Sequence, residues 1–368
     1  MTEKPRLLHI TPWYPSDRDP MHAIWIQRHV ELLATDFENH VLHIEFHKGA
    51  PGRKTTSSGN TTRSTLSFPL GMWRIREWLY GREVRRFLRK NAGFHLVNFY
   101  IAYPAAVCWP LFKRWLPGRV FITEHWSYYH YHFYSTHPLN RVKKIFSRQI
   151  PVITVSEALR KDIEKFSGYK FPSAVVFNVV DTSVFRYTHA PDESGVFFMV
   201  SYWKDPKQPH LVIRALAQLR QKSIKLRIAG YGPMWDSMVE LSRELQLEDS
   251  ITFLGPLSGD ALVREMNSAT AFIHPTGYET FSVVVAEALC CGCPVLCPDA
   301  GALSERVDST NGILKTNNES YDVVIERFLD RQNEFNRKEI AAKAALRYSP
   351  DAVRTQFRNA LNTLFSHH

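Results

Sequence analysis

Short apolar runs alternate with helix-length amphipathic segments along this chain, and the alternation runs its course twice. That pattern confines the fold to α/β, with two doubly wound parallel-sheet domains in succession. In the first half, buried-strand candidates lie at Leu7 to Ile10, Val41 to Phe46, His95 to Phe99, Val120 to Thr123, Val152 to Val155 and Ala174 to Phe177. Helical spacing marks Ile24 to Leu33, Tyr103 to Trp115 and Glu157 to Phe166. The stretch from Lys48 to Thr65, dense in Gly, Ser, Thr and Lys, has too little apolar content to pack and is expected to be an exposed, mobile loop.

The pattern restarts after Asp181 to Ser194, with strands at Val196 to Val200, Ile224 to Ala229, Ile251 to Leu254, Ala271 to His274 and Pro294 to Cys297. Helices are expected at Pro209 to Lys222, Met234 to Leu245, Gly259 to Ser268 and Ser282 to Cys291, and a closing helix at Ser349 to Leu364. At 368 residues and 44% hydrophobic, the chain can bury two cores. The expected domains are residues 1–188 and 189–347, with 348–368 as the final helix.

Charge is divided unevenly. Residues 1–190 carry 27 Lys and Arg against 14 Asp and Glu, a balance of +13; residues 191–368 carry 19 against 22, or −3. The first half is therefore expected to face something anionic: nucleic acid, a membrane surface or a phosphate-linked substrate. From Gly71 to Lys90, Trp73, Trp78, Leu79, Phe87 and Leu88 interleave with seven basic residues, as in a basic amphipathic helix weakened by Gly81. It suits either a surface helix packed on its own domain or one that touches a membrane. No apolar run reaches the length of a membrane span and no secretory signal opens the chain, so a cytoplasmic location is expected, with peripheral attachment to the inner face of the plasma membrane. Four of the five cysteines crowd into Cys290 to Cys297, too tightly for a disulfide framework, and are expected to be reduced.

The segment His274 to Cys297 carries the strongest chemical signal. A strand ends at His274-Pro275, a Gly-containing loop bears Glu279, and a helix begins near Ser282. Ligands of open parallel sheets collect at such junctions, and a helix N-terminus presents N–H groups to phosphate, so the backbone of Thr280, Phe281, Ser282 and Val283 forms a sensible pyrophosphate cradle. Glu287 lies in an otherwise apolar helix, where an unsatisfied carboxylate would cost several kcal/mol; a pair of ribose hydroxyls would satisfy it. Glu279 and Glu287, with seven residues between them, could address one extended ligand.

These residues resemble the large group 1 of retaining, nucleotide-sugar-dependent glycosyltransferases with the GT-B fold. The resemblance rests on Glu279 and Glu287 followed by Ala288-Leu289, Gly292 and Pro294-Val295. It is supported by His9 to Pro15, Thr154 to Glu157, Asn178 to Asp181, Gly230-Tyr231-Gly232-Pro233, Phe253-Leu254-Gly255 and Asp299 to Val307. It implies two Rossmann-like domains facing a central cleft, with the C-terminal helix returning to the first domain. It also implies transfer of a hexose-type sugar (hexosyl or N-acetylhexosaminyl) from a nucleotide-sugar, with retention and with no metal or other cofactor.

The resemblance further assigns roles. Glu287 would bind the ribose; Glu279 with the Thr280-Phe281-Ser282 backbone would address the transferred sugar; Lys207 would neutralise the leaving diphosphate. His125 would contact the sugar. Gly230, Gly255, Tyr202 and Lys204 fall at donor-side positions. A lysine beside the phosphates makes chemical sense, because negative charge grows there as the sugar carbon gains oxocarbenium character. This chain departs from the family where Ser201-Tyr202-Trp203 replaces Gly-Arg-Leu, so that the arginine that joins Lys207 at the phosphates is missing and Lys204 is the candidate to replace it; where the first loop reads Met21-His22-Ala23-Ile24-Trp25; and where Gly301-Ala302 stands for Gly-Gly.

His125, His130, His132 and His137 stand among Trp126, Tyr128, Tyr129, Tyr131, Phe133 and Tyr134. Following a strand end, Trp126, Tyr128 and Tyr129 read as an aromatic wall for an acceptor sugar or lipid, with ordinary packing as the alternative and metal or nucleic acid disfavoured. The cysteine cluster spans a helix end and a buried strand, which argues against zinc. The expected function is assembly of a cell-surface glycan such as lipopolysaccharide or another polysaccharide, on a lipid-linked or growing oligosaccharide acceptor at an anionic membrane surface. The alternative is a catalytically weak or inactive GT-B protein acting as a carbohydrate- or anionic-surface-binding module.

Overall fold

The computed structural model of the protein describes residues 3–20, 22–131, 136–188, 193–220 and 222–366, with backbone alone at 73, 74 and 136–139. Its contacts divide the chain into two compact units, Met1–Val179 with Val353–His368, and Val180–Ala352.

The division falls at Val179, ahead of the expected 188/189, whose second residue lies outside the described residues. The segment after Val179 is fastened to the second unit. The Val180 N–H bonds the Tyr348 carbonyl, and Asn267 accepts from the Thr188 N–H while donating to the Arg186 carbonyl.

The first unit comprises β1 (Arg6–Thr11), α1 (Ile24–Leu33), β2 (Glu38–His47), β3 (Gly52–Ser58), β4 (Thr61–Pro69), α2 (Arg76–Lys90), β5 (Leu96–Tyr100), β6 (Arg119–Glu124), α3 (Tyr128–Tyr131), α4 (Thr136–Phe146), β7 (Val152–Thr154), α5 (Glu157–Ser167) and β8 (Ser173–Val175). Its sheet runs β3-β4-β2-β1-β5-β6-β7-β8, parallel except where β3 meets β4. Strand order reverses direction between β1 and β5, which makes their carboxyl ends the place for a ligand.

The second unit comprises β9 (Glu193–Tyr202), α6 (Pro209–Gln218), β10 (Lys225–Tyr231), α7 (Trp235–Glu244), β11 (Ile251–Gly255), α8 (Gly259–Ser268), β12 (Ala269–Ile273), α9 (Val283–Cys290), β13 (Val295–Pro298), β14 (Gly312–Lys315), α10 (Tyr321–Arg331) and α11 (Arg337–Tyr348). Its all-parallel sheet runs β11-β10-β9-β12-β13-β14, so the corresponding reversal lies between β9 and β12. The chain then enters α12 (Pro350–Phe365). There Val353, Phe357, Ala360, Leu361 and Phe365 bury themselves with Leu7, Leu33, Leu96, Phe121 and Ile153 of the first unit. Asp36 and Arg358 pair across the same contact.

Two expectations are corrected. The supposed mobile loop from Lys48 to Thr65 contains the β3–β4 hairpin, turned at Gly59-Asn60 with Gly59 at φ 53. Every residue of β3 is exposed, so no buried alternation betrays it, yet the Thr- and Ser-rich flanks of a Gly-Asn turn are a hairpin signal. The segment Tyr103 to Trp115 is not one helix but two 3-10 turns, Ala106–Leu111 and Lys113–Trp115, since Pro104 and Pro110 each deny the ladder an N–H. Helix α2 runs through Gly81, which lies against the Leu111 side chain of the first 3-10 turn. The elements α3, α4, β14, α10 and α11 add to those expected.

Candidate functional site

In the second unit the loops that leave β9 and β12 are laced together. The Gln208 N–H bonds the Pro275 carbonyl, the Gly277 N–H bonds the Pro206 carbonyl, and Lys207 bridges to Thr276. This lacing carries the Lys207 ammonium onto the Glu279 carboxylate, and the pair is only 15% and 16% exposed. Sequence reading assigns Lys207 and Glu279 to separate parts of one ligand; the structure joins them directly.

A third member has no signal of its own in the sequence. The Nε2 atom of His274 lies 2.8 Å from Glu279 Oε1, 3.0 Å from Ser282 Oγ and 3.4 Å from Lys207 Nζ. Burial of Glu279 would by itself raise its pKa, but Lys207 and His274 outweigh it and hold the carboxyl at about 2. Burial, with the Lys207 charge, lowers the pKa of His274, so the ring is neutral at pH 7.

Ser282 is the N-cap residue of α9, at φ 65, and its side chain makes no bond to the helix. Its hydroxyl is engaged by His274 instead, which leaves the first-turn N–H groups of α9 for a ligand. Phe281 is buried under the Arg306 guanidinium, 3.9 Å from the ring centroid, and against Tyr348. That anchors the backbone of Thr280 to Val283. Arg306 is itself fully buried, which lowers its pKa to about 10, and it also donates to the Ala302 carbonyl. The Ala302 N–H in turn bonds the Glu279 carbonyl, and a Cβ on Gly301 would meet that same oxygen at 2.2 Å. Glycine at 301 is what allows the 299–307 loop to lie on Glu279.

Glu287 sits in α9, 8% exposed. Gly230 adopts φ 106, and a Cβ on it would strike the Ser201 carbonyl at 1.9 Å, so the glycine permits the ends of β9 and β10 to close up. Tyr202 is exposed beside Tyr231, with the Lys204 ammonium 5.2 Å above its ring. Gly255 ends the edge strand β11, two strands from β9, and is not drawn into the cluster.

In the first unit a cavity of about 590 Å³ opens at the carboxyl ends of β1, β2, β5 and β6. Trp13, Trp126 and Tyr128 form one wall, with Trp126 5.4 Å from Trp13 and 4.4 Å from Tyr128 between ring centroids. Tyr129, expected in that wall, faces the other way: successive residues of a helical turn point about 100° apart, and Tyr129 is buried, donating its hydroxyl to Glu124. His125 packs its ring on His29 and Tyr100 in a buried cluster. Met21, His132, Phe133 and Tyr134 lie outside the described residues, as does the side chain of His137.

Glu124 is the carboxylate of this unit that sequence reading passes over. Fully buried at the end of β6, it accepts from Tyr129 and from the Ala102 N–H, yet burial still raises its pKa to about 7. Nothing in the local sequence marks that burial. Among the described residues no group of three or more His, Cys, Asp or Glu is arranged to hold a metal, and Cys290, Cys291, Cys293 and Cys297 are buried free thiols.

Comparison with known proteins finds a family model in each half. Residues 182–345 match "Glycosyl transferases group 1" and residues 10–184 match "Glycosyltransferase Family 4". An uncharacterized glycosyltransferase of Methanocaldococcus jannaschii is 29% identical over 178 residues, 44% of this chain and 46% of the relative. The D-inositol 3-phosphate glycosyltransferase of Nocardia farcinica is 33% identical over 144 residues, 36% of this chain and 32% of the relative. The chain thus matches less than half the length of these curated relatives. Among solved structures, sucrose-phosphate synthase from Thermosynechococcus elongatus superposes with a TM-score of 0.80 at 17% identity, over 99% of this chain and 100% of that one. An Anabaena protein in complex with UDP gives 0.75 at 18%, over 98% and 100%. A lipopolysaccharide outer core galactosyltransferase gives 0.75 at 15%, over 99% and 100%. These likenesses are of fold, the two-domain α/β fold termed GT-B.

Proposed function

We propose that this chain, whose residues 182–345 match the group 1 glycosyltransferases and whose residues 10–184 match glycosyltransferase family 4, transfers a hexose-type sugar with retention, from a nucleotide-sugar held by the second unit to a glycan acceptor held by the first. The observation that carries the reading is the junction of Lys207, Glu279 and the uncapped start of α9 where strand order reverses between β9 and β12. A diphosphate placed there meets N–H groups and an ammonium. As the bond from sugar carbon to phosphate oxygen lengthens, both are fixed in place to receive the charge. Glu287 takes the ribose hydroxyls. No metal is needed for a leaving group that a lysine and a helix N-terminus already neutralise.

A nucleotide-sugar donor fits the Anabaena neighbour, which was solved with UDP and with UDP-glucose. Thermal shift against UDP-, GDP-, ADP- and dTDP-sugars tests it directly: one nucleotide should stabilise the protein by about 2.7 kcal/mol at a hundredfold its Kd. Glu287→Ala should abolish that stabilisation in a protein that still unfolds cooperatively; an unaltered shift would remove the donor assignment.

The acceptor is a lipid-linked or growing oligosaccharide, stacked on Trp126, Tyr128 and Trp13. Among the described residues no helix is long and apolar enough to cross a membrane. The inner face of α2 buries Leu79, Tyr80, Val84 and Leu88 in its own unit, while Arg82, Arg85, Arg86 and Arg89 stand exposed. Exposed apolar side chains gather just before them, at Leu70, Met72, Ile75 and Trp78, with Leu111 alongside. Basic and apolar groups side by side suit an anionic membrane surface. Replacing the four arginines by glutamate should end co-sedimentation with anionic vesicles; retained binding would dismiss the membrane.

A further inference from the structure

We infer that His274 is a positioning residue of the donor site, whose ring ties the Glu279 carboxylate to the backbone turn at Ser282, so that both meet a bound nucleoside diphosphate sugar in one fixed orientation. The inference rests on the donor reading above.

The ring is rooted in the sheet. His274 follows the end of β12, its N–H bonds the Leu296 carbonyl, its ring stacks on Phe272 at 23° with centroids 5.9 Å apart, and its side chain is 2% exposed. A carboxylate can only accept, so the 2.8 Å approach of Nε2 to Glu279 Oε1 requires the proton on Nε2. Ser282 Oγ, 3.0 Å away, then shares that N–H as a second acceptor. Lowering of the ring's pKa by burial agrees with one neutral tautomer doing both.

Two consequences follow for the ligand. Ser282 lies at φ 65, in the left-handed region that side chains seldom adopt, and this turn aims the chain into α9. The bond that its hydroxyl accepts from an immobile ring holds the turn, and with it the N–H groups that would face phosphate. When the diphosphate draws Lys207 off Glu279, the bond from His274 remains to keep the carboxylate directed at the sugar.

A glycine at 282 would adopt the turn without help, which makes the coupling measurable. Calorimetric titration with UDP and with UDP-glucose, or with the pair that the nucleotide screen selects, should be run on wild type, His274→Phe, His274→Gln, Ser282→Gly and the His274→Phe/Ser282→Gly double variant. His274→Phe should weaken UDP about tenfold, Ser282→Gly by no more than about twofold, and the double variant should bind UDP about as Ser282→Gly does. The preference for UDP-glucose over UDP should fall in the His274→Phe single and double variants alike, since Glu279 stays unheld once the imidazole is gone. His274→Gln, which keeps an N–H donor, should recover part of that preference. Melting temperatures of the ligand-free variants should show the same non-additivity, so a misfolded His274→Phe would be recognised and His274→Gln would take its place. Additive losses, or unchanged binding in His274→Phe, overturn the inference while leaving the donor reading intact. A wild type that binds none of the nucleotides ends both.

Discussion

Replacing Lys207 by alanine is expected to lower the rate of nucleotide release from a nucleotide-sugar by about 10²–10³-fold, with a much smaller change in KM. On the proposed reading the ammonium would meet the ground-state diphosphate weakly, because it is shared with Glu279 and a helix N-terminus is already present. It meets the transition state strongly, because charge has then moved onto the departing oxygen. A loss confined to KM would make Lys207 a binding residue only, and wild-type turnover would remove it from the chemistry. The Glu279 carboxylate left behind retains His274 as a partner, so the fold should survive the substitution. Lys207→Arg should restore little, since a planar guanidinium does not reproduce a compact ammonium held by a short turn.

Acid should unfold the first unit at unusually mild pH. Burial lowers the pKa of His9 to about 4, of His29 to about 4 and of His43 to about 3, all from 6.5. Each is neutral in the fold and protonated in the unfolded chain between those limits. Their contribution is therefore complete above pH 6.5 and is lost as pH falls towards 4, on the order of 3 kcal/mol each. Glu124 works in the opposite sense. Its folded pKa of about 7 exceeds the unfolded value, so acidification from pH 7 to 4.5 favours the folded state and offsets roughly one of the three histidines. The net loss is still a large part of the usual stability of a domain. Seven of the nine tryptophans lie in residues 1–179, so tryptophan emission followed from pH 7.5 to 4 reads this unit. A signal that stays native to pH 4 would show that the three rings are hydrated or paired in solution.

The junction proposed to hold the donor was legible because its parts are neighbours in sequence. A strand end, a loop acid and the charged Glu287 in an apolar helix fall within the run from His274 to Cys297, and periodicity identifies each. The same holds for α1, whose bounds agree with its apolar spacing, and for the aromatic run of which Trp126 and Tyr128 line a cavity. What failed locally had local causes: an all-exposed β3 offers no burial pattern, and prolines turn the 103–115 segment into 3-10 pieces.

Composition, periodicity and a junction motif thus determined the class of fold, the two sheets and the strand-to-helix junction that carries Glu279 and Glu287, since those properties depend on residues a few positions apart. Only the tertiary structure decided that Lys207 closes on Glu279 across 72 residues, that His274 joins them, that Glu124 and the rings of His9, His29, His43 and His125 are sealed from water, and that Tyr129 turns inward while Tyr128 does not. Ionisation and pairing depend on which groups are brought together and which are cut off from solvent, and a chain acquires both only when its sheets have formed.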